Sequence, residues 1–142
     1  MSGPSARCAD SAAPVPVLAL GDILLVTLQG ELGDAAAEQL QYDVTRRIAH
    51  SPTPVSGVVI DISGVDIVDS FLGRVLAEIA AGASLMAART VLAGMRPAVA
   101  ITLVELGLSL PQVTTALHVD MALTLLGRPP SAGPPEPPRE GP

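Results

Sequence analysis

An α/β fold is predicted for this chain, and three stretches of its sequence predict it. Residues 15–20 (VPVLAL) and 23–29 (ILLVTLQ) are apolar-rich runs parted by Gly21-Asp22 alone, which is the spacing and composition of a tight antiparallel hairpin. Residues 35–49 repeat apolar positions at helical spacing. Residues 57–62 and 91–93 are two further apolar runs, and the stretch between them is long and amphipathic. That makes a strand, helix, strand crossover, whose strands lie parallel and whose hand is right.

Taken in order, residues 1–14 (MSGPSARCADSAAP) are small, polar and proline-punctuated, and they read as a disordered N-terminal tail. After the hairpin, residues 30–34 form a loop in which Asp34 is placed to cap the helix that follows. Along 35–49 the stripe Ala37, Leu40, Val44 and Ile48 faces inward, while Glu38, Gln39, Gln41, Asp43, Arg46 and Arg47 fill the other positions. His50-Ser-Pro-Thr-Pro54 ends this helix, because proline removes a donor and disfavours helix in the residue before it. The strand at 57–62 then leads into a loop carrying Asp61, Asp66 and Asp69, and Ser70 stands where a helix spanning 70–88 begins. That helix buries Leu72, Leu76, Ile79, Ala83 and Met86, with Phe71 and Val75 widening the face. Arg74 and Glu78 sit on its exposed side at a spacing that allows them to pair.

Beyond the short strand at 91–93, Pro97 suits the first turn of a helix and Gly107 suits its stop. With Val99, Ile101, Leu103, Val104 and Leu106 between them, this helix is apolar nearly all round and is predicted to be the most buried. Residues 114–119 form a last edge strand, Asp120 caps a final helix over 121–126, and Gly127 closes it. Residues 128–142 are dominated by proline and glycine and read as an extended, disordered tail. One domain over 15–127 fits this division, and a chain of 142 residues leaves no comfortable room for two.

Composition narrows the function. Hydrophobic residues make up 49% of the chain and aromatics 1%, so the core is aliphatic and no aromatic platform exists for stacking bases. Eight Lys plus Arg against 14 Asp plus Glu give a net charge of -6, the wrong sign for a phosphate backbone, so nucleic acid is excluded as a partner. The most apolar segment, 91–110, is interrupted by Arg96, Pro97, Glu105 and two glycines, which breaks the span of about 20 residues a bilayer requires. No secretory signal opens the chain, and the cytoplasm is the expected location. The single cysteine, Cys8, lacks a partner for an internal disulfide and has no His and acid neighbours to activate it.

Little in the sequence suggests chemistry of its own. Neither a GxxxxGK loop nor GxGxxG occurs, so no nucleotide cofactor is expected. His50 and His118 lie far apart without ligands at metal spacing, and no metal site is expected. The G-x-S-x-G elbow of hydrolases is absent as well, and the chain is read as a non-enzyme. Asp61, Asp66 and Asp69 admit three readings: a divalent-cation cluster, a receiver-type phosphoacceptor, or carboxylates favoured by the amides and dipole at a helix start. Ser70 is open between a helix cap and a phosphorylation switch. A phosphate there would add about -1.5 to -2 charges beside Asp66 and Asp69 and repel an acidic partner surface.

The run IDISGVDIVDSFLGR (residues 60–74) together with GMRPAVAITLVELGL (residues 94–108) resembles the RsbS-type anti-sigma factor antagonists, small single-domain STAS proteins of the bacterial stressosome. The likeness extends from about Val15 to Leu126 and includes the opening hairpin and LQYDV of the first helix. It implies a mixed sheet of four to five strands with helices packed mainly on one face. It also implies that Ser70 is the serine phosphorylated by an RsbT-type serine/threonine switch kinase. Such proteins assemble with larger RsbR-type STAS paralogues, sequester the kinase, and release it once phosphorylated. On that likeness Asp61, Asp66, Asp69 and Arg74 shape the kinase-facing surface. Thr102 matches a second phosphorylatable threonine of the larger paralogues, although mid-helix a threonine also bonds back to a carbonyl. A purely structural assembly subunit, never switched, is the alternative. An STAS-like module for nucleotide or lipid has no positive sequence feature.

Overall fold

The hairpin forms as its turn chemistry demands. In the computed structural model of the protein, which describes residues 15–30, 32–107 and 112–127, strands β1 (Val17–Leu20) and β2 (Ile23–Gln29) pair antiparallel with Leu20 opposite Ile23. Gly21 takes φ 64, the first-position geometry of a II′ turn, which glycine enters without steric cost. The chain continues through α1 (Asp34–Ala49), β3 (Gly57–Gly64), α2 (Ser70–Leu85), β4 (Arg89–Ala93), α3 (Pro97–Glu105), β5 (Val113–Ala116) and α4 (Val119–Leu125). The strands lie side by side in the order β1-β2-β3-β4-β5. β2, β3, β4 and β5 are parallel neighbours, so the sheet is mixed, with its antiparallel pair at one edge.

Alternation along each strand divides the core in two. Leu24, Val26 and Leu28 of β2, Val58, Ile60 and Ile62 of β3, and Leu92 of β4 point to one face. There they meet Leu40 and Val44 of α1, Leu72, Leu76 and Ile79 of α2, and Val99 and Leu103 of α3. Burying a side chain such as Leu76, 1% exposed, contributes about 1.5–3 kcal/mol. The opposite face is thinner: Ile23, Val59, Val91 and Ala93 are covered by Ala122 of α4 together with Ala116. Gly57 permits that cover, since a Cβ there would lie 2.6 Å from Leu126 Cδ1. Helices therefore pack mainly on one face, as the family resemblance implies.

Several local expectations are corrected. α2 stops at Leu85, three residues before the predicted end, because the chain closes in a Schellman turn. The Ala88 amide donates to the Ala83 carbonyl at 2.8 Å and the Ala87 amide to Ser84 at 3.0 Å, with Ala87 itself at φ 65. Asp34 is not a cap: Gly33 occupies that position with no side-chain bond, and Asp34 is the first helical residue, where its charge meets the positive helix end. Asp120 likewise sits in the first turn of α4, whose cap is His118, with Nδ1 accepting from the Met121 amide at 3.3 Å. β5 covers Val113–Ala116 instead of 114–119.

α3 is not the most buried helix. Only Val99 and Leu103 are buried, while Ile101 is 58% and Val104 76% exposed, because one stripe of this nine-residue helix reaches the core. Arg74 and Glu78 are both exposed and form no ion pair among the described residues. Their order, cation before anion, is the weaker one on a helix. The predicted tails at 1–14 and 128–142, and Cys8 with them, lie outside the described residues.

Candidate functional site

The loop between β3 and α2 is pinned from beneath and presented from above. Val65 and Val68 are buried in the larger core, which leaves Asp66, Ile67, Asp69 and Ser70 on the surface between and beyond these two anchors. At the start of the loop the Val65 amide donates to the Ile62 carbonyl at 3.0 Å, and the Gly30 amide donates to the Gly64 carbonyl at 2.9 Å. Asp61 lies within β3 and not in the loop; its Oδ1 accepts from the Ser63 amide at 3.0 Å where the pairing of β3 with β2 shifts register. Each of these bonds fixes backbone and spends no exposed side chain of the loop tip.

Arg96 clamps the same loop from the neighbouring connection. Its Nε donates to the Ser63 carbonyl at 3.0 Å and its Nη1 to Asp66 Oδ1 at 2.7 Å, which ties the β3–α2 loop to the β4–α3 loop. The two side chains are 54% and 68% exposed, so this ion pair organises geometry more than it stabilises the fold. Gly94 makes the close approach possible: with φ 77, it sits where a Cβ would lie 2.8 Å from Ser63 Cβ.

One bond decides which residue caps α2. Asp69 is the N-cap of α2: its Oδ1 accepts from the Leu72 amide at 2.8 Å, and its carbonyl accepts from the Gly73 amide at 3.1 Å. Ser70 is therefore the first helical residue, exposed, and its hydroxyl makes no hydrogen bond among the described residues. A serine nucleophile needs an adjacent base. Asp69 Oδ1 is occupied by the cap, and His118 Nδ1 by the start of α4. The Ser70 hydroxyl is exposed, with no base bonded to it among the described residues.

The three carboxylates do not converge. Asp61 bonds the Ser63 amide within β3, Asp66 holds Arg96, and Asp69 caps α2. Among the described residues no group of three or more His, Cys, Asp or Glu side chains could hold a metal ion. Asp61 instead lines a cleft of ≈ 440 Å³ with Ser63, His118 and Asp120, at the carboxyl ends of the parallel strands. Arg74 is exposed one turn along α2 from Ser70. Thr102 lies on α3, and its Oγ1 donates to the Ala98 carbonyl at 3.0 Å. Arg96 and the exposed Ile67 are surface features of this site that the sequence reading did not single out. The Arg96 contact joins positions 30 residues apart, and the motif GMRP was its only trace.

Fold and site together define an α/β domain that presents a serine at the start of its second helix, and comparison gives that class a family. The family model described as STAS domain matches residues 15–122, and the chain belongs to the STAS-domain family. Within it, the chain is similar to an RsbS protein of Moorella thermoacetica, with 38% identity and a TM-score of 0.72 over 81% of this chain and 96% of that one. It is also similar to a chain of the stressosome, described as a signal integration and transduction hub, with 36% identity and a TM-score of 0.65 over 79% and 96%. A third relative is the RsbT co-antagonist protein RsbRA of Bacillus subtilis, 31% identical over 105 residues. That match covers 74% of this chain but 37% of RsbRA, so the chain spans well under half the length of the RsbR protein. The RsbS-type likeness read from residues 60–74 and 94–108 is borne out. Among the described residues no helix is long and apolar enough to cross a membrane.

Proposed function

We propose that this protein is a non-enzymatic STAS scaffold and phosphoacceptor of the cytoplasm. It binds and sequesters an RsbT-type serine/threonine switch kinase within a stressosome-like complex with RsbR-type paralogues, and it releases the kinase when Ser70 is phosphorylated. The observation that carries this reading is the division of labour at the start of α2: Asp69 supplies the cap, so the Ser70 hydroxyl is exposed and unspent. A phosphate on Ser70 would add about -1.5 to -2 charges at a helix start, where backbone amides tolerate an anion. It would do so beside Asp66 and Asp69, with Arg96 already held by Asp66. The change is one of surface charge more than of fold. Asp61, Asp66, Asp69 and Arg74 belong to the surface that the kinase reads.

Mass spectrometry after incubation with the cognate kinase and ATP tests the acceptor. Ser70 should carry the phosphate and Ser70→Ala should carry none; phosphate persisting on another residue of that variant, Thr102 included, refutes the assignment. In pull-downs Ser70→Ala should retain the kinase and Ser70→Asp should lose it. Equal retention would exclude the charge switch. The exposed Ile101 and Val104 of α3 favour a second reading, an assembly subunit that is never switched. Size-exclusion chromatography separates the two, since such a subunit keeps the same partners whether or not it is phosphorylated.

A further inference from the structure

A groove at the far end of α1 is used by none of the features described above. It runs between β1 and the last turn of α1 and encloses ≈ 690 Å³. Its walls include the aliphatic side chains of Val15, Val17 and Leu24, and its rim carries Arg46, Arg47 and His50. Leu24 is buried, and Val15 and Val17 are packed against the larger core, so the floor is part of the folded domain. The rim residues are exposed. One acid borders the groove, Asp43, and its carboxylate accepts a hydrogen bond from Gln39 at 2.9 Å. The sign of this patch is opposite to that of the chain, which carries -6 overall and has eight basic residues, all arginine.

Cations in the last turn of a helix are favoured by its dipole, and that accounts for Arg46 and Arg47 as helix residues. It does not account for the apolar trough that opens between them and β1. We propose that this groove docks an acidic, extended polypeptide segment of a partner protein. Aliphatic side chains of the segment enter the trough, and its carboxylates meet the guanidinium groups, whose planar fork suits them. Charge complementarity selects the occupant: on a chain that carries -6, the adjacent guanidinium groups of Arg46 and Arg47 beside an apolar trough favour an acidic segment. The site shares no residue with the Ser70 surface, and the inference stands whether or not Ser70 is a switch.

The test uses the full chain and a blocked, fluorescent peptide of alternating Glu and Val, with the Lys and Val counterpart as control, followed by anisotropy. The acidic peptide is expected to saturate below about 1 mM at low salt and to weaken as the Debye length shrinks toward about 8 Å at physiological ionic strength. Amide shifts in the NMR spectrum should map to Val17, Leu24, Arg46 and Arg47. Charge reversal in Arg46→Glu/Arg47→Glu should weaken binding about tenfold or more. A carboxylate in that turn also opposes the helix dipole, so the neutral Arg46→Gln/Arg47→Gln, checked for an unchanged melting temperature, is the second variant and should lose several-fold. Ser70→Ala should bind as the parent does. Equal binding of the two peptides, equal binding by the arginine variants, no saturation by that concentration, or capture by anionic lipid vesicles in place of the peptide would each overturn the proposal.

Discussion

Asp69→Ala and Ser70→Ala, adjacent substitutions of two residue types that both favour helix starts, are predicted to have unequal consequences for stability: the first costly, the second near neutral. Asp69 is exposed, so truncating it loses little packing. What it loses is the 2.8 Å bond to the Leu72 amide, one of the donors at the helix start that have no partner within the helix. Removing an N-cap costs about 1 kcal/mol, within a range of 0.5–2, and losing a carboxylate from the positive end of the helix dipole adds a few tenths. For a domain near 100 residues, 1 kcal/mol corresponds to a fall in melting temperature of about 4–8 °C. Ser70→Ala removes a hydroxyl that has no described partner and installs a better helix former, so its change should stay within about 0.5 kcal/mol of zero. Asp69→Asn keeps an acceptor at the cap and should fall between the two. Urea unfolding followed by circular dichroism reads all three, and an unchanged m value certifies that the effect lies in the native state. If Ser70→Ala proves the costly change and Asp69→Ala the neutral one, the serine is the cap, and the case for an unspent hydroxyl collapses.

Three further outcomes follow from the backbone and the clamp. Ala87→Gly should stabilise by about 0.5–1 kcal/mol in the same unfolding assay, since Ala87 holds φ 65 at an exposed turn where glycine is unstrained. Gly94→Ala should destabilise by about 2 kcal/mol or more, because a methyl group there meets Ser63 Cβ at 2.8 Å and the backbone is in the left-handed region as well. Arg96→Ala should cost less than about 1 kcal/mol of global stability, the usual worth of an exposed ion pair, yet hydrogen exchange should quicken in residues 63–67 once the clamp on Ser63 and Asp66 is gone.

What was legible in the sequence was what local chemistry decides. Gly21-Asp22 between two apolar runs leaves a chain few alternatives to a hairpin, and Pro97 and Gly107 mark the two ends of α3 because one lacks an amide and the other tolerates positive φ. The apolar run through 57–62 marked a buried strand, and both faces of β3 are buried. The caps were misplaced by a residue or two for a physical reason: Asp34 and Asp120 are favourable anywhere in a first turn, so their presence marks a helix start without fixing which residue stands at its edge. Ser70 and Asp69 posed the same ambiguity, and only geometry decides which side chain reaches the Leu72 amide. α3 was misjudged because hydropathy records what a surface tolerates and says nothing of what covers it. The Arg96 clamp joins two loops through a bond that leaves no periodic mark, and no single-chain pattern would have located it.

The thin face of the sheet governs how this protein can be handled. Val59 and Val91 sit on two interior strands, and the seven-residue α4 is what shields them. Leu126 seats itself on bare backbone at Gly57, so the final turn acts as a latch whose catch is a missing side chain. A cut made before Val119 would uncover an apolar strip along adjacent parallel strands, and the expected product is an aggregate more than a shortened domain. Tags and fusion partners belong after Gly127, where they leave the latch closed.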